Sequence, residues 1–150
     1  MTMFRQRDAM KLNSKEHLCV TNSDRCRLGA WLTSQEAHVW GNRRSLADLE
    51  VLLEEAEPVT SRLAPETLVT MNTAVKLVDL ATEKRRIVTL VYPDDMDLVA
   101  DGVSILEPLG TALLGCQAGD VIQCPDEQCQ RRYRIAKVVY QPEHAGASHL

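Results

Sequence analysis

The spacing of apolar residues along the chain changes near Pro65. Upstream of this residue, apolar side chains recur every three or four positions, which is the spacing of one helix face. Downstream, apolar and polar residues alternate and β-branched residues become common, which is typical of strands. The pattern therefore predicts three parts: a flexible polar leader over residues 1–18, a helical hairpin over residues 19–64 and a sheet domain over residues 65–150.

Two helices are predicted in the hairpin. The first begins at the possible N-caps of residues 22–24 and ends at residues 40–42, where Gly and Asn tolerate the turn that ends a helix. In the second, Ser45 is the predicted N-cap, Asp48 returns a hydrogen bond to it, and Pro58 ends the helix. Because only a short turn joins them, the two helices are expected to pack antiparallel.

Five strands are predicted beyond Pro65, over residues 74–80, 87–92, 103–106, 120–124 and 132–140. Pro108 and Gly115 suit the first turn and the end of one short helix between the third and fourth strands. The predicted fold class is thus α+β, with a short N-terminal antiparallel helical hairpin followed by an antiparallel sheet that carries one short helix.

Composition and charge narrow the possible functions. The 150-residue sequence has no apolar run near the roughly 20 residues that span a bilayer and no secretory signal, so a cytoplasmic protein without a membrane partner is expected. Its net charge is −4, whereas phosphate neutralisation of duplex DNA needs an excess of Lys and Arg on one face. Direct sequence-specific DNA binding is therefore not expected.

Basic residues cluster in residues 84–86 and again in residues 131–134. Along a strand, Arg132 and Arg134 share one face, while Arg131 and Tyr133 share the other. Such a strand can contact nucleic acid or an acidic protein surface. Cations in this pattern are more often the solvent-exposed face of a half-buried strand, and that is the interpretation we favour here.

No local pattern predicts catalysis, a cofactor or a metal site. Cys124 and Cys129 have a spacing that zinc sites sometimes use, but a structural site needs four ligands, and His144 and His149 lie in a polar tail. Reduced thiols are the preferred interpretation. The acidic residues 94–101 lack the Gly and the distal Glu of a calcium loop and predict a solvated connection. Neither a Ser/His/Asp arrangement nor a Gly-rich phosphate loop is suggested.

Residues 107–120, with the sequence EPLGTALLGCQAGD, closely resemble the C-terminal signature of the Gre transcript-cleavage factors. In that family, a small helix ending in Leu-Leu-Gly or Leu-Ile-Gly precedes Gly-Asp at this spacing. Three other segments, VTMNT at 69–73, TLVYP at 89–93 and YQPE at 140–143, resemble the Rnk branch of the family, the regulators of nucleoside diphosphate kinase. The resemblance covers residues 67–146 well and the two helices more loosely.

This resemblance implies a fold and a partner. Gre-like proteins carry an N-terminal antiparallel coiled coil and a C-terminal domain shaped like the FK506-binding proteins (FKBP-like). The C-terminal domain binds the rim of the secondary channel of bacterial RNA polymerase. In the cleavage factors, two carboxylates at the coiled-coil tip help to hold a second Mg²⁺ at the polymerase active site. For this chain, the resemblance therefore implies core RNA polymerase as the partner.

The predicted hairpin tip differs from that of the cleavage factors. Residues 38–44 contain Trp40, Arg43 and Arg44 but no acidic pair, and two Arg side chains would repel a metal ion. The chain is therefore expected to be a non-enzymatic transcription regulator that binds polymerase without stimulating transcript cleavage. The alternatives are a true transcript-cleavage elongation factor and, from the FKBP-like shape, a prolyl isomerase.

Four residues are the predicted contacts with RNA polymerase, because of their position in the motif: Ser104, Glu107, Pro108 and Leu109. They follow one another where the third predicted strand ends and the short helix begins. Glu107 occupies a position at which the Gre pattern usually has Ser. We therefore expect the contact at this position to differ in detail from that of the Gre factors.

Overall fold

The computed structural model describes residues 10–11, 18–34, 37, 39, 43–125 and 130–144. Three helices have described bounds: α1 (Asn22–Leu32), α2 (Arg43–Glu55) and α3 (Pro108–Leu113). The strands are β1 (Met10–Lys11), β2 (Cys19–Thr21), β3 (Glu57–Val59), β4 (Ala74–Asp79), β5 (Arg85–Val91), β6 (Gly102–Ser104), β7 (Val121–Pro125) and β8 (Gln130–Tyr140). None of the helices in these residues has the length and apolar character needed to cross a membrane.

Six strands form one sheet in the order β1-β7-β8-β4-β5-β6. Each of the five strands predicted beyond Pro65 is present, with bounds that move by no more than two residues. All neighbouring strands are antiparallel except β5 and β6, which are parallel. The prediction of an antiparallel sheet is wrong at this edge because the chain crosses from β5 to β6 through the 3-10 helix Pro93–Leu98 instead of reversing in a hairpin.

A second, two-stranded sheet joins the start of the helical region to its end. β2 pairs in parallel with β3, so that Val20 lies opposite Pro58. α2 ends at Glu55, three residues before Pro58, which lies in β3. Ser45, however, is not the N-cap of α2, because the helix already begins at Arg43.

The first helix is shorter than predicted. Thr21 is its N-cap, with Oγ1 accepting a hydrogen bond from the backbone N–H of Asp24 at 3.1 Å. The helix ends at Leu32 and not at residues 40–42, and two hydroxyl groups explain the stop. Thr33 Oγ1 donates to the Ala30 carbonyl at 2.8 Å. Ser34 Oγ donates to the Trp31 carbonyl at 2.6 Å, so the last carbonyls of the helix bind side chains.

One apolar core joins the helices to the sheet. It contains fully buried side chains from these helices and from the sheet: Leu28, Leu49, Leu52, Leu77, Leu90, Leu113 and Ile135.

Residues near both ends of the chain are tied to this structure. Near the C-terminus, Gln141 Nε2 donates to the carbonyls of Pro65 and Leu68 at 2.7 and 2.8 Å. Met10 and Lys11, two residues of the predicted leader, pair with β7. The division of the chain at residues 18 and 65 stays a prediction.

Candidate partner-binding site

A tight turn between β6 and α3 positions the four predicted polymerase contacts. The Ser104 carbonyl accepts the N–H of Glu107 at 3.0 Å, and the Ser104 N–H donates to Glu107 Oε2 at 3.0 Å. In addition, Ser104 Oγ accepts the N–H of Leu106 at 3.1 Å. Ser104 and Glu107 therefore hold each other in the reciprocal manner of a capping box, although they close a turn before the helix.

The four predicted contact residues differ in how far their side chains are exposed to a partner. Ser104 is only 7% exposed, so its role in this structure is to support the turn. Glu107 precedes α3 as its N-cap residue and is exposed, with one carboxylate oxygen engaged by Ser104. Pro108 is exposed at the first helical position, and Leu109 is half-buried against the core. The turn thus presents an apolar corner, Pro108 and Leu109, beside a carboxylate.

Gly110 lets α3 pass close over this turn. A Cβ atom built on Gly110 would lie 2.0 Å from the carbonyl oxygen of Ser104 and 3.0 Å from Cα of Ile105. Thr111 fixes the helix from the other side, because its Oγ1 donates to the Ile105 carbonyl at 2.7 Å. The position of Pro108 therefore depends on a glycine two residues away.

The helical tip is described in part. Trp40 lies outside the described residues, and for Arg43 the structure gives only its place at the start of α2. Arg44 is exposed on the next position of the helix. The first turn of α2 carries no acidic residue.

A buried carboxylate that the sequence pattern did not reveal lies where α1 meets the segment before β4. Asp24 is 4% exposed, and its Oδ2 accepts the backbone N–H of Met71 at 2.9 Å. Burial raises the pKa of Asp24 from 3.8 to about 6, the Met71 hydrogen bond opposes this shift, and nearby Glu143 adds to it. The available signal was that Thr21 can cap α1 alone, which leaves the Asp24 carboxylate for another role.

Tyr92 and Glu143 lie in the same region. The Tyr92 hydroxyl is buried and has no hydrogen-bond partner among the described residues. Burial, together with the charge of Asp24, raises the pKa of Tyr92. Glu143 Oε1 accepts a hydrogen bond from Thr70 Oγ1 at 2.8 Å. The residues 69–73 and 140–143, which resemble the Rnk branch, therefore meet beside α1.

The sequence places Cys and His residues near the C-terminus at a spacing that zinc sites sometimes use. In the described ranges, no group of three or more His, Cys, Asp or Glu side chains is arranged to hold a metal ion. Cys124 is buried at the end of β7, whereas Cys129 and His149 lie outside these ranges. His144 Nε2 lies 2.6 Å from the Ala64 carbonyl, so this ring nitrogen already has a partner.

Comparison with known proteins assigns the region that contains this site. The family described as "Transcription elongation factor, GreA/GreB, C-term" matches residues 64–140, which is slightly more than half of the chain. The chain belongs to the GreA/GreB family. The matched region holds β4 to β8, α3 and the turn at Ser104, so the resemblance found in residues 107–120 is confirmed.

Individual relatives agree with this assignment. The chain is 35% identical over 100 residues to the regulator of nucleoside diphosphate kinase of Escherichia coli (strain K12), a match that covers 65% of this chain and 73% of the relative. It is 32% identical over 99 residues to transcription elongation factor GreA of Orientia tsutsugamushi (strain Boryong), covering 66% of this chain but only 62% of GreA. A solved GreA/GreB structure from Nitrosomonas europaea superposes with a TM-score of 0.68 at 35% identity, covering 83% of this chain and 98% of that chain.

Proposed function

We propose that this GreA/GreB family member is a transcription regulator of the Rnk type that binds bacterial RNA polymerase at the rim of the secondary channel. The observation that carries the proposal is that the family signature folds into one exposed corner, with Pro108 and Leu109 at the start of α3. The proposal includes the finer features implied by the resemblance, which are an FKBP-like shape for the sheet domain and a helical hairpin with its tip between α1 and α2.

The chemistry of the corner suits a protein partner. Protein interfaces have an apolar core surrounded by polar residues, and few residues supply most of the binding energy. Pro108 and Leu109 form such an apolar centre, and the Glu107 carboxylate lies at its edge. Because Ser104, Glu107 and Gly110 fix the backbone, little conformational entropy is lost when a partner binds here.

Binding should depend on Pro108. We expect Pro108→Asp to weaken binding to core RNA polymerase about tenfold or more, since a charge would replace an apolar contact at the centre of the interface. Asp is favourable in the first turn of a helix, so the variant should fold normally. The measurement is a titration of fluorescently labelled protein with core enzyme, accompanied by a thermal melt of each variant.

Leu63→Asp is the matched control, because Leu63 is 74% exposed in a different element, the 3-10 helix Ser61–Leu63. It should bind polymerase as the wild type does. If Pro108→Asp also binds as tightly as the wild type, the docking surface lies elsewhere on the chain. If the wild-type protein itself does not bind polymerase, the proposed function is wrong.

The protein should not stimulate transcript cleavage. The region 38–44 contains no acidic pair to hold a second metal ion, and the first turn of α2 contains no acidic residue. In a backtracked elongation complex, we expect no acceleration of cleavage by this protein and inhibition of the cleavage stimulated by an added GreA factor. Binding accompanied by faster cleavage would instead support the alternative of a true cleavage factor.

A further inference from the structure

One face of the main sheet concentrates positive charge. In β4 and β8, Leu77 and Ile135 point into the core, so the alternating residues point to solvent on the opposite face. Two bulges in β8, after Ile135 and after Val138, each shift the alternation by one residue, so that Lys137 lies opposite Lys76 on the outer face. On the same face, Val78 lies between Arg134 of β8 and Arg85 of β5. Five cations from three neighbouring strands share this surface, which we call the cationic face: Lys76, Arg85, Arg132, Arg134 and Lys137.

Within the described residues, no ion pair neutralises the charge of the cationic face. Arg86–Asp101 and Arg131–Asp79 are ion pairs of the sheet, and neither includes a residue of the cationic face. The described residues that share this surface include no Asp or Glu. The whole chain has a net charge of −4, so the positive charge of this surface is opposite in sign to that of the chain. Arg85, Arg132 and Arg134 lie in the two basic clusters of the sequence, but only strand pairing brings these clusters together with Lys76 and Lys137.

The arrangement favours a linear polyanion over a protein surface. The cores of protein interfaces are depleted in charged residues, whereas this surface has cations at its centre. Along β8, Arg132, Arg134, Lys137 and the exposed side of Tyr140 follow one another over about 20 Å, because the two bulges leave this stretch only as long as residues 74–80 of the chain beside it, at roughly 3.4 Å per residue. Surfaces that bind single-stranded nucleic acid combine such a basic track with aromatic rings on which bases stack.

We propose that the cationic face binds single-stranded nucleic acid without sequence preference. The cations of β8 contact successive phosphates, Lys76 and Arg85 neutralise charge beside the track, and a base stacks on Tyr140, which is 46% exposed. The cationic face and the apolar corner formed by Pro108 and Leu109 have no residue in common. Binding of nucleic acid is therefore independent of the proposed polymerase contact.

The test measures binding of a fluorescent 20-nucleotide oligouridylate to the full-length chain by anisotropy at 50 mM salt. Arg132→Gln/Arg134→Gln should weaken binding at least tenfold. The matched control, Arg25→Gln/Arg62→Gln, removes the same charge from other elements and should change the affinity less than twofold. The slope of log affinity against log salt should become less negative by about 1.4 for the first variant, since each phosphate contact with a single strand contributes about 0.7.

Tyr140→Ala separates stacking from charge. It should weaken binding about fivefold or more and leave the salt slope unchanged. The proposal is overturned if the wild-type chain does not bind the oligonucleotide at 50 mM salt, or if both double variants weaken binding equally. Competition by polyglutamate as effective as that by unlabelled oligonucleotide would also overturn it, in favour of an acidic protein partner.

Discussion

A Gly110→Ala variant should lose roughly 3 kcal/mol or more of folding stability, because its new Cβ atom would overlap backbone. That atom would lie 2.0 Å from the Ser104 carbonyl oxygen, so α3 and the preceding turn would have to separate. The separation would strain the Glu107 N–H bond to Ser104 and the Thr111 Oγ1 bond to Ile105, which are 3.0 and 2.7 Å long.

Gly29→Ala provides the matched control for this prediction. Gly29 lies in α1, and nothing lies within 4 Å of the Cβ that would be added there. Since Ala is a better helix former, this variant should be neutral or more stable by about 0.5–1 kcal/mol. Urea unfolding of the two variants and the wild type under one set of conditions measures the difference. Wild-type stability in Gly110→Ala would contradict the close approach of α3 to the turn.

The strands were predictable because their pattern is local. In β4, buried and half-buried residues alternate along the whole strand, and the predicted range 74–80 differs from the observed one by a single residue. The partners of a strand are not local information. The parallel pairing of β5 with β6 depends on how the Pro93–Leu98 helix leads the chain across the sheet edge, and no residue pattern within either strand records that.

In the candidate site, too, the features set by local sequence were predictable, and those set by contacts between distant elements were not. Pro108 and Gly115 correctly indicated the short helix between β6 and β7. The prediction that Ser104 contacts a partner assumed a surface position, but Val103 and Ser104 are both buried, so alternation fails at the end of this short strand. The packing of α3 over the turn covers Ser104, and that packing brings together elements whose contact the sequence does not show.

Asp24 illustrates a different kind of information that the sequence lacks. Asp24 is one of the N-caps that the sequence predicts for the first helix, and capping is the usual role of Asp at such a position. Only tertiary packing shows that Asp24 instead accepts the Met71 N–H between α1 and the sheet domain. The same packing removes water from the carboxylate, and the energetic consequence of that burial can be measured.

The contribution of Asp24 to folding stability should therefore fall as the pH rises from about 4 to about 6. The pKa of Asp24 is raised from 3.8 to about 6 in the folded protein, so the native state binds more protons than the unfolded state within this window. Below this pH window, Asp24 is protonated in both the folded and the unfolded state, so it no longer changes the free energy of unfolding. Above it the buried charge costs on the order of 3 kcal/mol. Arg27 partly offsets this cost, whereas Glu143 adds to it.

Asp24→Asn tests this pH dependence, because the amide oxygen can still accept the Met71 N–H but the side chain cannot ionise. At pH 8 the variant should be more stable than the wild type by up to about 3 kcal/mol, and at pH 4 the advantage should disappear. Urea unfolding at several pH values gives the difference in unfolding free energy between the variant and the wild type. The titrations of all other groups occur in both proteins and cancel in this difference. Asp97→Asn, which removes an exposed charge, should show no such crossover. If the stability difference between Asp24→Asn and the wild type does not change with pH, Asp24 is not buried between α1 and the segment before β4.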